Sequence, residues 1–318
     1  MTDDRVSRRT LLAGGLAMAA AGLTATPAAA QLDQLLGQMG SQAGLGDLMG
    51  TANSLMKGMD LSEKDEIAMA EAFYPRFIGQ SGGLYNSRKA QDALKRFADP
   101  ILRTSSRALP WEIVLVENET VNAWALPGGK LAVHKGLLRY TASPEELAAV
   151  IAHEVAHAEL SHGLKQMKNK AFVENLSGIG KQTLVERVSR TQGGALAGTL
   201  TGELLGALEG PVFAMINSGY SQDLEYEADA HVLSVFNRTG LDMAKSADFL
   251  RVMMQVIPQN TQATSSLYST HPGTGKRVER LEKQLRKAKA GGIAPGAPGG
   301  WAELKQAFPT RKFRRVAV

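Results

Sequence analysis

Apolar side chains recur at helical spacing through residues 145–162. Leu147, Val150, Ile151, Val155 and Leu160 fall on one pattern that no glycine or proline interrupts. Ser143-Pro144-Glu145-Glu146 precedes the run and reads as a capping box with proline at the first helical position. The pattern predicts a well-specified helix, buried on several sides. Upstream, residues 113–117, 121–126 and 130–134 read as three strands. Asn118-Glu119-Thr120 separates the first two, and Pro127-Gly128-Gly129 turns the chain before the third. Residues 221–229 read as the start of another helix, and 246–257 and 275–288 as later ones. The last carries Glu279, Glu282 and several Lys/Arg at i,i+4 spacing, as an exposed face would. The expected fold class is α+β, mainly helical, with one small antiparallel sheet. A single domain over 62–290 is long enough to enclose a core.

The buried helix carries His153-Glu154-Val155-Ala156-His157. Histidines four residues apart lie one above the other on a helix face, so both imidazoles can reach one metal ion. Glu154 adjoins that face, where a carboxylate can act on a water bound to the metal. Chance alone would produce this pattern in roughly one chain in a hundred of this kind, so the helical context matters. A catalytic zinc takes three protein ligands and leaves a position open. A third histidine six residues after the second is absent, because position 163 is Gly. His162 is near but falls off the metal-facing side. Glu225 and Asp229 are four apart on the expected downstream helix. Glu225 could ligate the metal while Asp229 accepts from the other nitrogen of a ligating histidine. Spacing alone leaves this open against an acidic, solvated first turn favoured by the helix dipole.

These motifs, Glu225-Tyr226-Glu227-Ala228-Asp229 and Asn122-Ala123-Trp124-Ala125-Leu126-Pro127-Gly128-Gly129 together resemble the M48 family of zinc metallopeptidases. The similarity runs over about 62–289 and covers three motifs in order. The resemblance implies a zincin-type domain with one Zn2+ per chain. It implies His153, His157 and Glu225 as ligands, Glu154 as the catalytic carboxylate, and Asp229 as a supporting residue. His162 matches a further histidine frequent in the family. His271, in Ser269-Thr270-His271-Pro272, is a candidate oxyanion donor or gate; the alternative is a loop histidine capping the next helix. Many members have Ser-Arg ahead of the distal glutamate, whereas this chain has Ser221-Gln222. The implied activity is a cell-envelope endopeptidase acting on unfolded or misassembled proteins. The alternatives are a zinc-containing binding module without proteolysis and a self-inhibited peptidase that needs a partner.

Ser7-Arg8-Arg9-Thr10-Leu11-Leu12, the weakly apolar stretch after it and Ala28-Ala29-Ala30 read as a twin-arginine leader over 1–30. It predicts export to the periplasm with Gln31 as the mature start. The apolar run is short of the ~20 residues a membrane span needs. The chain has no cysteine, which excludes disulfides, thiol catalysis and cysteine zinc ligands. Losing 1–30 removes three arginines and two aspartates, leaving 33 Lys/Arg against 29 Asp/Glu. That mild excess gives no ground for nucleic acid as a partner. Residues 31–61 read as a loose amphipathic segment, a candidate for peripheral membrane contact. Residues 178–219 are rich in Gly, Ala and Leu and read as a lid, with ordinary packing helices as the alternative. Residues 291–318 read as a Gly/Pro linker and a basic tail.

Overall fold

The computed structural model describes residues 62–167, 212–213, 216–217, 219–256, 270–272, 274–287 and 298–311. The leader, the 31–61 segment, nearly all of 178–219 and the tail beyond Arg311 lie outside them.

Helix α1 (Glu63–Gln80) starts at Ser62, which exchanges hydrogen bonds with Asp65 in a capping box. Helix α2 (Arg88–Leu102) starts at Ser87, whose hydroxyl accepts from the Ala90 amide. Three strands follow: β1 (Glu112–Val116), β2 (Ala123–Leu126) and β3 (Lys130–His134). The expected strands are present, but the sheet is mixed, not antiparallel. Its order is β1-β3-β2; β3 pairs parallel with β1 and antiparallel with β2. The 117–122 connection carries the chain past one strand position. The β2–β3 hairpin then folds β3 back into the gap, where it must run with β1. At the hairpin, Gly128 has φ 86° and its backbone abuts α1; a Cβ there would sit 2.5 Å from the Glu66 carbonyl oxygen.

The sheet is covered on both faces. Ile113, Leu115, Ala125, Leu131 and Val133 pack in one core with Leu94 and Phe97 of α2. Val114, Val116, Trp124 and Ala132 pack on the other face with Met69, Phe73 and Phe77 of α1. This alternation is what the strand period of two requires. Each such buried large side chain contributes about 1.5–3 kcal/mol.

After the short helix α3 (Lys135–Leu138) comes α4 (Pro144–Glu159), in which every residue from Glu146 to Glu159 is buried. Its cap differs slightly from a capping box. Ser143 Oγ accepts from the Glu146 amide, but the Glu146 carboxylate takes the Ala142 amide at 2.6 Å. The helix ends earlier than its apolar pattern suggests. Ser161 adopts φ 52°, and the chain restarts as α5 (His162–Met167). Downstream are α6 (Gln222–Thr239), a 3-10 turn (Met243–Lys245), α7 (Asp248–Val256) and α8 (Thr274–Leu285). The stretch read as linker and tail also contains a helix, α9 (Trp301–Ala307). Leu304 and Phe308 join the core around α2 and α4. No described helix is long and apolar enough to cross a membrane.

Candidate functional site

Helices α4 and α6 pack against each other, and each contributes one polar turn to the contact. His153, Glu154 and His157 come from α4, Glu225 and Asp229 from α6; all five are buried. A close backbone contact brings in a third segment. Gly219 has φ 83°, and a Cβ there would sit 2.3 Å from the Thr270 carbonyl oxygen. The approach lays 270–272 over the start of α6 and sets His271 beside Glu225.

The two α4 imidazoles face each other, with Nε2 of His157 and His153 3.0 Å apart. Glu225 Oε2 lies 3.4 Å from His153 Nε2, and its Oε1 3.6 Å from His157 Nε2. His271 Nδ1 is 2.9 Å from Glu225 Oε1 and 3.3 Å from His153 Nε2. One ligand atom from each of His153, His157, Glu225 and His271 thus converges, all within 4.8 Å of one another.

The backs of these rings are held. His153 Nδ1 is 3.2 Å from Asp229 Oδ1, which favours the tautomer that turns the Nε2 lone pair inward. His157 Nδ1 is 2.9 Å from His162 Nδ1, and His162 Nε2 is 3.2 Å from Glu227 Oε2. A chain of two donated protons, His157 to His162 to Glu227, satisfies both contacts with both rings neutral. Burial lowers the His162 pKa to about 4, consistent with that neutral form. His162 therefore lies behind a ligand candidate, outside the converging group. Tyr220 stacks on His157 with ring centroids 3.8 Å apart and planes 10° apart. Burial, then the charges of Glu154 and Glu225, raise its phenol pKa, so the hydroxyl keeps its proton.

Sequence reasoning missed Arg277, on the first turns of α8. It is buried, its Nη1 lies 2.6 Å from Glu225 Oε2, and its Nε and Nη2 hold the two oxygens of Asp229 at 2.8 and 2.7 Å. It also donates to the His271 carbonyl at 3.2 Å. The one signal in the sequence was an arginine six residues after His271, on a helix read only as an exposed face. Burial works to raise the Glu225 pKa. The charges of His271 and Arg277 outweigh it and hold the carboxyl well below its usual range. Asp229 is lowered in the same way, with Arg277 overcoming burial. His157 is pushed well down by burial and by neighbouring His153. For His271, burial opposes protonation, but the Glu225 and Glu154 carboxylates raise its pKa to about 10.

These groups fit a divalent cation. Glu154, Glu225 and Asp229 set three buried carboxylates against the one buried guanidinium of Arg277. Counting His271 as well, whose pKa is raised to about 10, the metal-free site keeps one negative charge; with His271 neutral, as a metal ligand would be, two remain, matched by one M2+. Two imidazole nitrogens and a carboxylate oxygen are the donor set of a catalytic zinc. Glu154 Oε1 is buried with no hydrogen-bond partner. Its nearest cationic neighbour is His271 Nε2 at 3.4 Å. His271 thus meets two carboxylates and the ligand group.

A family model described as peptidase family M48 matches residues 86–285. Among curated proteins, the chain is 27% identical over 233 residues to the beta-barrel assembly-enhancing protease of Yersinia pestis, covering 73% of this chain and 46% of that one. It is 28% identical over 240 residues to the mitochondrial metalloendopeptidase OMA1 of Schizosaccharomyces pombe, covering 72% and 64%. It is 27% identical over 171 residues to metalloprotease YcaL of Escherichia coli, covering 53% and 60%. The chain spans about half the length of these relatives.

Proposed function

The chain belongs to peptidase family M48, and on that premise we propose that it is a zinc endopeptidase of the cell envelope that cuts unfolded or misassembled proteins. The observation that carries this is the convergence of His153, His157 and Glu225 beside a Glu154 oxygen with no hydrogen-bond partner. His153, His157 and Glu225 would hold the ion. When bound, zinc supplies Lewis acidity, polarising the scissile carbonyl and lowering the pKa of attacking water towards ~7. Glu154 takes the water's proton and returns it to the leaving amine. Asp229 fixes the His153 tautomer, and Arg277 holds Glu225 and Asp229 in place. The substrate backbone would pair with β2, which among the described residues is the outer strand of the sheet and lies buried beside α4, once that edge is opened. Export follows the twin-arginine leader at 1–30.

A second reading has its own observation. His271 offers a nitrogen to the same group and would occupy the position that substrate needs. The protein would then be a self-inhibited peptidase, opened when the 270–272 segment moves. Both readings are tested with an unfolded casein-like substrate. Metal-loaded wild type should cleave it, and Glu154→Gln with the same metal content should lose at least about a thousandfold. Equal rates would favour a non-proteolytic binding module. Faster cleavage by His271→Ala marks self-inhibition, and slower cleavage marks a role in turnover.

A further inference from the structure

Helix α8 carries cations on two faces with different fates. Arg277 points inward and is consumed by Glu225 and Asp229. Lys276, Arg280, Lys283 and Lys287 follow at intervals of four, three and four residues, so they share one outer stripe. All four are exposed. Among the described residues none of the four makes an ion pair, whereas Arg251 and Arg286 on the neighbouring surface both face Glu282. The stripe does not lie on a flat surface. It lines a groove of about 580 Å³ whose other wall is Tyr226 of α6. The Arg280 guanidinium sits over the Tyr226 ring, 4.4 Å from its centroid. Both walls adjoin the metal cluster in sequence. Tyr226 follows Glu225, and Lys276 precedes Arg277.

We propose that this groove is an exosite for acidic polypeptide, engaging an Asp/Glu-rich segment of the substrate beside the metal centre. The inference rests on the endopeptidase reading for its biological use, not for its binding chemistry. Eleven residue steps from Lys276 to Lys287, at ~1.5 Å each along the helix direction, give a stripe of roughly 16 Å, the length of about five extended residues. Four unpaired cations against the one carboxylate of Glu279 in the groove leave a net charge for an anionic chain to neutralise. The concave form suits a chain better than a bilayer. Binding to a membrane surface also needs exposed apolar anchors, and among the described residues the one large exposed hydrophobic is Leu84.

The test uses full-length, metal-loaded Glu154→Gln protein and fluorescein-labelled hepta-glutamate, hepta-lysine and Gly/Ser peptides, read by anisotropy. Hepta-glutamate should bind at least about tenfold more tightly than the other two and weaken steeply with added NaCl. Reversing three charges (K276E, R280E, K283E) should cost about tenfold or more. The matching glutamine substitutions should cost less, with circular dichroism melts showing both variants folded. Equal binding of the three peptides, or no loss in the folded variants, overturns the proposal. So does binding to phosphatidylglycerol vesicles without binding to hepta-glutamate. Acidic-peptide binding by protein that cleaves nothing, as wild type or as His271→Ala, would sink the endopeptidase reading and leave the exosite standing. Casein cleavage without charge-selective binding would do the reverse.

Discussion

Helix α4 ends in two polar clusters barely a turn apart, one enclosed and one reaching the surface, and they are built on opposite rules. At His153 and His157, imidazole nitrogens face each other at 3.0 Å, with carboxylate oxygens crowding the same space. At the C-terminal end, hydrogen-bond donors face most of the acceptors. Arg107 joins Glu63 at 3.0 Å and Glu66 at 2.9 Å, and donates to Ser161 Oγ and the Ala158 carbonyl. Glu159 accepts from the Ser106 amide and hydroxyl at 2.9 and 2.7 Å, with His231 Nε2 3.3 Å from its other oxygen. Each cluster contains buried carboxylates, Glu154 and Glu225 in the first and Glu66 and Glu159 in the second. Only the first gathers acceptors that need an added cation. Polar burial alone therefore signals paired structure, and converging acceptors signal a ligand.

The sharpest way to break this distinction is to remove the cation that each cluster already owns. Arg277→Met leaves Glu225 and Asp229 buried without their counter-charge. It should cost about 3–5 kcal/mol of stability and roughly 10–100-fold in metal affinity, read by thermal melts and a chelator competition. Arg107→Ala should cost about 2–4 kcal/mol in the same melts, because Glu66 and the end of α4 lose their donor, while metal content per folded chain stays unchanged. Metal loss in this variant, beyond the unfolded fraction, would erase the line between the clusters.

A smaller effect concerns pH. Burial raises the Glu159 pKa, but the His231 and Ser106 contacts overcome it and hold the carboxyl at about 2. A depressed folded pKa stabilises the fold above the unfolded value and loses that contribution as pH falls through the folded one. Glu159→Gln should thus cost about 2 kcal/mol at pH 5, with the gap from wild type closing between about pH 4.5 and pH 2. A gap that stayed unchanged down to pH 2 would assign the stabilisation to another group.

How much was readable in advance follows the range of each interaction. The α4 pattern, its Ser143 cap and the three strands are local signals, and the observed elements match them closely. The strand order was not legible. Turns between successive strands imply an antiparallel sheet, but the hairpin places β3 between β1 and β2, parallel to β1. The early end of α4 was hidden because Leu160 continues the apolar period, while the break depends on Ser161 held at positive φ by Glu66 and Arg107, both distant in sequence. Helix α9 is short and follows a Gly/Pro-rich stretch; its reason for existing is the core that Leu304 and Phe308 enter. Among the site residues, the α4 pair was legible from spacing, whereas Glu225 and Asp229 needed a family resemblance to choose them over a solvated turn. Arg277 sits among charges of an exposed pattern, and only packing turns it inward.

The central claim is that His153, His157 and Glu225 grip one divalent cation together. Elemental analysis of purified wild type and Glu225→Ala, reconstituted with zinc and dialysed against a weak chelator, tests it directly. The account predicts close to one zinc per wild-type chain and little in the variant, with melts showing both folded. Full zinc in Glu225→Ala, or none in a folded wild type, would contradict it.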